Sequence, residues 1–283
     1  MNRFISSWMG ILSTCLIALG GCAKGRTNPS FPLTVKKAKH ELDLMAASPK
    51  PIPRPLIILG GWMDPGFSSE GLNNLIKPAI TETPIIAIAF FGSSSFNESA
   101  NKLIQQLESQ IPSDDPNQTV EVDVVAYSMG GLIARYAAIP PQWAPNTTTN
   151  FGSTPTSSRK RLNIKNLYTI CTPHQGAALA WLGSFDPNAR DMKVNSDFLI
   201  ALDKDYSSNS RFNLRAYARL DDLIVGEQNT APNDIPTHWV GRSLMGGGHF
   251  LADQDPRIIA DILRNLRSEP AYTTFPSSPV PAR

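Results

Sequence analysis

The sequence predicts an α/β fold, a mostly parallel central sheet with helices on both faces. Short apolar runs alternate with amphipathic stretches over residues 55–268, the pattern of strands joined by helical crossovers. One run, Val120-Glu121-Val122-Asp123-Val124-Val125, breaks at Ala126-Tyr127-Ser128-Met129-Gly130-Gly131 and continues as the helix-compatible stretch from Leu132 to Ala138. A strand that turns sharply at a serine into a helix is a nucleophile elbow, which exposes the hydroxyl above the sheet. Small residues two before and two after the serine let strand and helix approach closely. The helix N-terminus adds partial positive charge where an oxyanion would form. The plainer reading of the same stretch is a strand, a turn and a helix with a serine N-cap.

Each element follows from its own pattern. Pro55 to Gly60 is a short buried strand ending in Gly60-Gly61, and Pro84 to Phe91 is the next. Asn97 to Ile111 is a helix with Ala100, Leu103, Ile104, Leu107 and Ile111 on one face and Asn97 as its cap. After the elbow, Pro140 to Lys165 is polar and rich in Thr, Ser, Asn and Pro, which predicts a surface loop. Leu167 to Cys171, Arg215 to Leu220 and Trp239 to Leu244 are the remaining strands. The segment 176–205, with Trp181, Leu182 and Phe185, is either a small lid over an apolar pocket or a fixed core helix. Pro256 to Leu266 closes the domain as a helix, with Pro256 in the first turn and Ile259, Ile262, Leu263 and Leu266 inward. Residues 55–268 thus form one domain, large enough for a substantial core.

The ends of the chain differ in kind. Arg3 precedes an uncharged apolar stretch, Phe4 to Gly20. Leu19-Gly20-Gly21-Cys22 then resembles the bacterial lipobox. That resemblance implies that residues 1–21 are a lipoprotein signal peptide and that Cys22 is lipidated as the new N-terminus. An uncleaved signal anchor is the alternative, since a run of this length can span a bilayer. The implied location is the bacterial cell envelope, with Ala23 after the cysteine pointing to the outer membrane in a Gram-negative cell. Residues 22–54 then form a tether, with a helix over 34–47 and a stiff link through Pro51, Pro53 and Pro55. Residues 269–283, with Pro276, Pro279 and Pro281, form a Pro-rich disordered tail.

Composition narrows the partners. With Cys15 and Cys22 assigned to signal and anchor, Cys171 alone remains in the domain, and no intradomain disulfide is available. A net charge of +2 without a basic, aromatic-interleaved patch argues against nucleic acid. The expected partners are a small-molecule or lipid ester and the membrane, the latter through the N-terminal lipid anchor, for a monomeric chain. No Cys/His/Asp cluster in the sequence suggests a metal, and no cofactor is expected.

The order of strand, elbow serine, further strands, acid and histidine resembles the α/β-hydrolase superfamily over most of the domain. Within it, the chain is similar to bacterial lipases and the GPI inositol-deacylase-like group. Thr172-Pro173-His174-Gln175-Gly176 is similar to a T-P-H-x-G segment of those lipases. Ser196-Asp197-Phe198-Leu199 looks like their G-S-x-F-L, with Asn195 in place of the glycine. The resemblance implies a serine, an acid and a histidine in that chain order. His40 lies in the tether, and His174 precedes every suitable acid and is expected to buttress the elbow or simply fill the core. His238 opens the last strand, whereas His249 follows Gly246-Gly247-Gly248 in a loop able to reach the serine. His249 is therefore the expected base. The family's D-x-x-V spacing fits Asp222 with Val225, and the neighbouring Asp221 is the alternative acid. Met129, after the serine, supplies one oxyanion-hole amide by elbow geometry. Trp62 matches the family's second donor, although Gly60 stands where those lipases have histidine.

The implied function is a membrane-tethered serine hydrolase of lipase or esterase type, working through an acyl-enzyme. The same triad could serve an amidase, a thioesterase or an acyltransferase. A non-catalytic surface binding protein on a hydrolase scaffold is the reading from another class.

Overall fold

The computed structural model describes residues 26–147, 159–180, 185–242 and 247–281. The signal segment, Cys22, Trp181, Leu182 and Gly246 lie outside the described residues. Among the described residues six strands, β1 (Leu56–Leu59), β2 (Ile85–Ile88), β3 (Val122–Tyr127), β4 (Ile164–Ile170), β5 (Asn213–Arg219) and β6 (Thr237–Val240), form one sheet. Their order is β2-β1-β3-β4-β5-β6, and every neighbouring pair is parallel. The winding reverses between β1 and β3, where the loops beyond the carboxyl ends of the two strands diverge. That switch point is where open α/β sheets leave a crevice, and the elbow serine follows β3.

Seven helices accompany the strands among the described residues: α1 (Val35–Ala47), α2 (Phe67–Ile76), α3 (Phe96–Gln110), α4 (Met129–Ala138), α5 (Pro187–Asp191), α6 (Asp197–Ser208) and α7 (Pro256–Leu266). Strand alternation divides the apolar residues into two cores. Ile57, Leu59, Val124 and Ala126 join the inward faces of α3, α4 and α6. Leu56, Ile58, Val125 and Tyr127 join those of α1, α2 and α7. Ile259, Ile262, Leu263 and Leu266 of α7 are all buried, as the periodicity requires.

Several local expectations change. The cap of α3 is Ser95 rather than Asn97: the Ser95 hydroxyl accepts from the Glu98 N–H at 3.2 Å, and Glu98 reaches back to the Ser94 N–H at 2.7 Å. The pair works as a capping box shifted by one residue. Helix α2 is not foreseen by periodicity; its start is held by the Asp64 carboxylate, which accepts from the N–H groups of Phe67 (2.8 Å) and Ser68 (3.0 Å). In the segment 176–205, α6 is a core element, with Phe198, Leu199 and Leu202 buried and Phe198 stacked on Phe96 at 4.3 Å. Asn195, where the related lipases have glycine, has φ 60, a left-handed conformation that asparagine tolerates better than most residues.

The described parts of both ends are packed, which corrects the tether and the free tail. Phe31, Leu33, Ala38, Met45 and Ile52 are buried in the second core. α1, capped by Thr34, lies against α7. At the other end, buried Asp261 accepts from the N–H groups of Tyr272 (2.6 Å) and Thr273 (3.0 Å). Trp239 Nε1 donates to the Ser278 carbonyl at 3.0 Å, and Ser277 Oγ to the Thr237 carbonyl at 3.0 Å. β6 is an edge strand, and the tail covers it, as exposed edges require. Polar, Pro-rich composition hides this because the docking uses a few anchors and backbone acceptors instead of a periodic apolar face.

Candidate active site

Ser128 sits between β3 and α4 with φ 52 and ψ −126, a left-handed conformation that costs a non-glycine residue energy and is held by its surroundings. The small neighbours are required. A Cβ on Gly130 would come within 2.6 Å of the Gly60 carbonyl, and one on Gly131 would overlap the Thr172 side chain. Thr172 Oγ1 also donates to the Ser128 carbonyl at 2.8 Å.

The structure brings Ser128, His249 and Asp222 together. His249 Nε2 lies 3.0 Å from Ser128 Oγ, and its Nδ1 lies 2.8 Å from Asp222 Oδ2. All three are buried, with Ser128 8% and His249 7% exposed, so the chain is shielded yet its serine is reachable. Asp222 Oδ1 accepts from the N–H groups of Ile224 and Val225, both at 3.0 Å, which fixes the carboxylate plane. Burial pushes the Asp222 carboxyl up, but His249, the Val225 N–H and the Cys171 thiol outweigh it and hold the group below its usual range. An ionised Asp222 accepts from Nδ1–H, leaving the Nε2 lone pair directed at Ser128 Oγ.

The neighbouring acid is engaged elsewhere. Asp221 receives both Nε (2.9 Å) and Nη2 (2.8 Å) of Arg219, whose Nη1 donates to the Leu251 carbonyl at 3.1 Å. This clamp ties the end of β5 to the segment after His249. Gly248 makes the approach possible, because a Cβ there would collide with the Asp221 carbonyl. Tyr127 Oη donates to the His249 carbonyl at 2.9 Å.

The other histidines stand apart. His174 is fully buried and bridges the elbow helix to β4: Arg135 Nη1 donates to its Nδ1 at 2.9 Å, so Nε2–H donates to Thr169 Oγ1 at 3.1 Å. Arg135 also pairs with Asp203 at 2.7 Å. Burial and Arg135 keep the His174 ring neutral. His238 packs between Tyr217 and Phe275 beside a cleft of about 280 Å³ at the amino ends of β4 to β6, remote from Ser128. His40 lies on α1.

Cys171 is the residue that sequence reasoning missed. It is buried at φ 48, and its thiol hydrogen-bonds Asp222. Ligand atoms of Cys171, Asp222 and His249 lie within 4.8 Å of one another, a cluster formed by three separate strand ends that no local motif announces. Burial and Asp222 push the thiol well up, so it is held protonated as a donor rather than as a thiolate ligand.

The loop after β1 closes the site. A Cβ on Gly61 would stand 3.4 Å from Ser128 Cβ, so Gly60-Gly61-Trp62 lies directly against the elbow, beside Met129 at the start of α4. A cleft of about 260 Å³ opens there, lined by Trp62, Met63, Phe90, Phe91, Met129 and Pro187. Such a site can attack an electrophilic carbon, hold a developing oxyanion and seat an apolar group.

Comparison with known proteins agrees with this architecture. The DUF676 family model, described as "Putative serine esterase", matches residues 89–190, which include the elbow and end before Asp222 and His249. Lipase B of Aspergillus fumigatus is similar in structure, with TM-score 0.52, 13% identity and coverage of 77% of this chain. The match spans about half of that lipase, 54% of its length. The mature lipase BlEst2 of Bacillus licheniformis gives TM-score 0.47 at 16% identity, covering 80% of this chain and 95% of that one. No curated protein matches the sequence. The fold is that of the α/β-hydrolases, and the family match supports hydrolase activity.

Proposed function

We propose that this α/β-hydrolase fold carries a serine hydrolase that cleaves carboxylic esters through an acyl-enzyme. The observation that carries the reading is the buried, continuous hydrogen-bonded chain Ser128–His249–Asp222 on a strained elbow. Ser128 Oγ attacks the ester carbonyl carbon while His249 Nε2 takes the hydroxyl proton. Asp222 holds the Nδ1–H tautomer and stabilises the imidazolium that forms. The carbonyl electron pair moves onto oxygen, and the backbone N–H groups of Met129 and Trp62 donate hydrogen bonds to the oxyanion. Collapse expels the alcohol, which takes the proton from His249 Nε2. Water, deprotonated by the same nitrogen, then attacks the acyl-serine; the acyl–Oγ bond breaks, the acid is released, and Ser128 Oγ takes the proton back from His249 Nε2. Trp62, Met63, Phe90 and Phe91 favour an apolar acyl or alkyl group in the cleft. Within this reading Cys22 bears the lipid that attaches the chain to a membrane, as its lipobox-like context suggests.

The test is hydrolysis of a p-nitrophenyl ester series, with amide and thioester analogues alongside. Ser128→Ala should lower ester turnover by up to about a millionfold while the fold is retained. Retention of more than a few per cent of activity in the purified variant excludes Ser128 as nucleophile.

A further inference from the structure

Among the described residues, the chain's N-terminal attachment and its two most exposed aromatics, Phe67 and Phe185, share one end of the sheet. Asn28 Nδ2 donates to the Trp239 carbonyl at 2.8 Å, and the Arg26 carbonyl presses on Gly241, where any Cβ would collide with it. Gly241 directly follows β6, so the chain enters the fold at the carboxyl ends of the strands, the end that holds Ser128 and His249. From Asn28 onward the segment is docked, with Ser30, Phe31 and Leu33 buried. Only three residues, Ala23, Lys24 and Gly25, separate Cys22 from Arg26, so the two Cα atoms are at most ~14 Å apart in a fully extended chain. A lipid on Cys22 would therefore hold this particular end of the molecule at the bilayer.

The same end carries an apolar rim. Met63 and Phe67 follow β1, Phe91 follows β2, Phe185 precedes α5, Leu223 adjoins Asp222, and Phe250 adjoins His249. Phe67 is 84% exposed, Phe185 76% and Phe250 64%. Phenylalanines this exposed, grouped around one mouth, mark an interaction surface rather than scattered surface residues. Two of the rim residues, Met63 and Phe91, continue into the cleft beside Ser128, so surface and site are contiguous.

We propose that the carboxyl-end face of the sheet docks on a lipid bilayer, held by the short Cys22 leash and the aromatic rim, so that the Ser128 mouth opens onto the lipid. This rests on the reading of the chain as a lipid-anchored ester hydrolase. It adds which face meets the membrane and where the substrate enters. Ester substrate embedded in the bilayer then reaches the cleft without crossing water, and an apolar rim that is unfavourable in solution is covered.

The test uses the full chain, produced in a lipoprotein-processing bacterial host and reconstituted in phosphatidylethanolamine–phosphatidylglycerol vesicles. In the Ser128→Ala background, an environment-sensitive fluorophore is placed on Phe67→Cys at the rim or on Trp143→Cys, beyond the far end of α4. Vesicles should shift the Phe67→Cys emission to the blue and shield it from aqueous iodide, while the Trp143→Cys probe stays in water. Equal shielding at both sites, shielding at the second alone, or shielding at neither overturns the proposal. So does an unmodified Cys22. With Ser128 intact, Phe67→Ser with Phe185→Ser, or a long Gly/Ser insertion after Lys24, should lower hydrolysis of a vesicle-embedded ester at least about tenfold. Hydrolysis of water-soluble p-nitrophenyl acetate should be unchanged within about twofold, and an unchanged vesicle rate counts against the proposal. Failure of the hydrolase reading looks different: p-nitrophenyl acetate turnover would then survive Ser128→Ala whatever the probes report.

Discussion

A serine hydroxyl is a weak nucleophile at neutral pH, so the chemistry of this site depends on which way one imidazole ring is turned. Asp222 turns it. Asp222→Asn should lower ester turnover by about ten-thousandfold, because an amide neither enforces the Nδ1–H tautomer nor stabilises the imidazolium. Asp221→Asn should be far milder, since that carboxylate pairs with Arg219 and acts only on the position of the loop. Steady-state kinetics of the two variants side by side separate the roles, and the reverse ranking would transfer the acid to Asp221. The pair Ser128 and His249, which the structure brings within 3.0 Å, is legible in the sequence because a short motif marks one and chain order singles out the other. Cys171 is not, because its thiol meets Asp222 only after β4 and β5 are paired. A second carboxyl near the ring, Asp253, is buried with Oδ1 unpartnered among the described residues, and burial pushes it up to about 6 from an ordinary 3.8. The folded state thus keeps a proton that the unfolded chain has lost between those values. Stability should fall as pH rises through that window, and above pH ~6 the penalty is constant at roughly 3 kcal/mol. Asp253→Asn should remove it, raising the urea midpoint at pH ~8 more than at pH ~4. Equal changes at both pH values would contradict this.

Among the elements, those with a regular apolar period are the ones the sequence discloses. α7 has the expected bounds, and the strands are displaced by only a few residues. α2 is hidden because its helical start is set by the Asp64 carboxylate rather than by a periodic face. The N-terminal segment is hidden for a related reason: prolines and charges dominate its composition, while Phe31, Leu33, Ala38, Met45 and Ile52 do the packing. This element is therefore part of the folding unit. Phe31→Ala should cost about 3–5 kcal/mol, as for other buried phenylalanines, read as a lowered urea midpoint. A value near zero would restore the free tether. At the elbow, Gly131→Ala should disrupt the contact of α4 with β4, because the added methyl overlaps Thr172. The expected result is loss of both stability and ester turnover, and a variant with normal thermal midpoint and rate would contradict the packing described.

At the scale of the whole molecule, the strand order places the reversal of winding between β1 and β3, so that the Gly60-Gly61-Trp62 loop meets the elbow there. β5 and β6 then deliver the acid and the base from beyond the same end of the sheet. Parallel pairing is what makes this possible, since every strand then ends on one face. The order of the parts along the chain discloses the fold class, but the sequence does not show that the described segments on either side of the domain, residues 26–54 and 269–281, pack against it, because such contacts join residues far apart. The central claim is that Ser128 is a nucleophile activated by His249. The most direct measurement is mass spectrometric mapping of a fluorophosphonate adduct on the intact protein. The account predicts a single adduct on the peptide containing Ser128, absent in Ser128→Ala and formed at least about a thousandfold more slowly in folded His249→Ala. An adduct on another residue, or none in the folded wild-type chain, would contradict it.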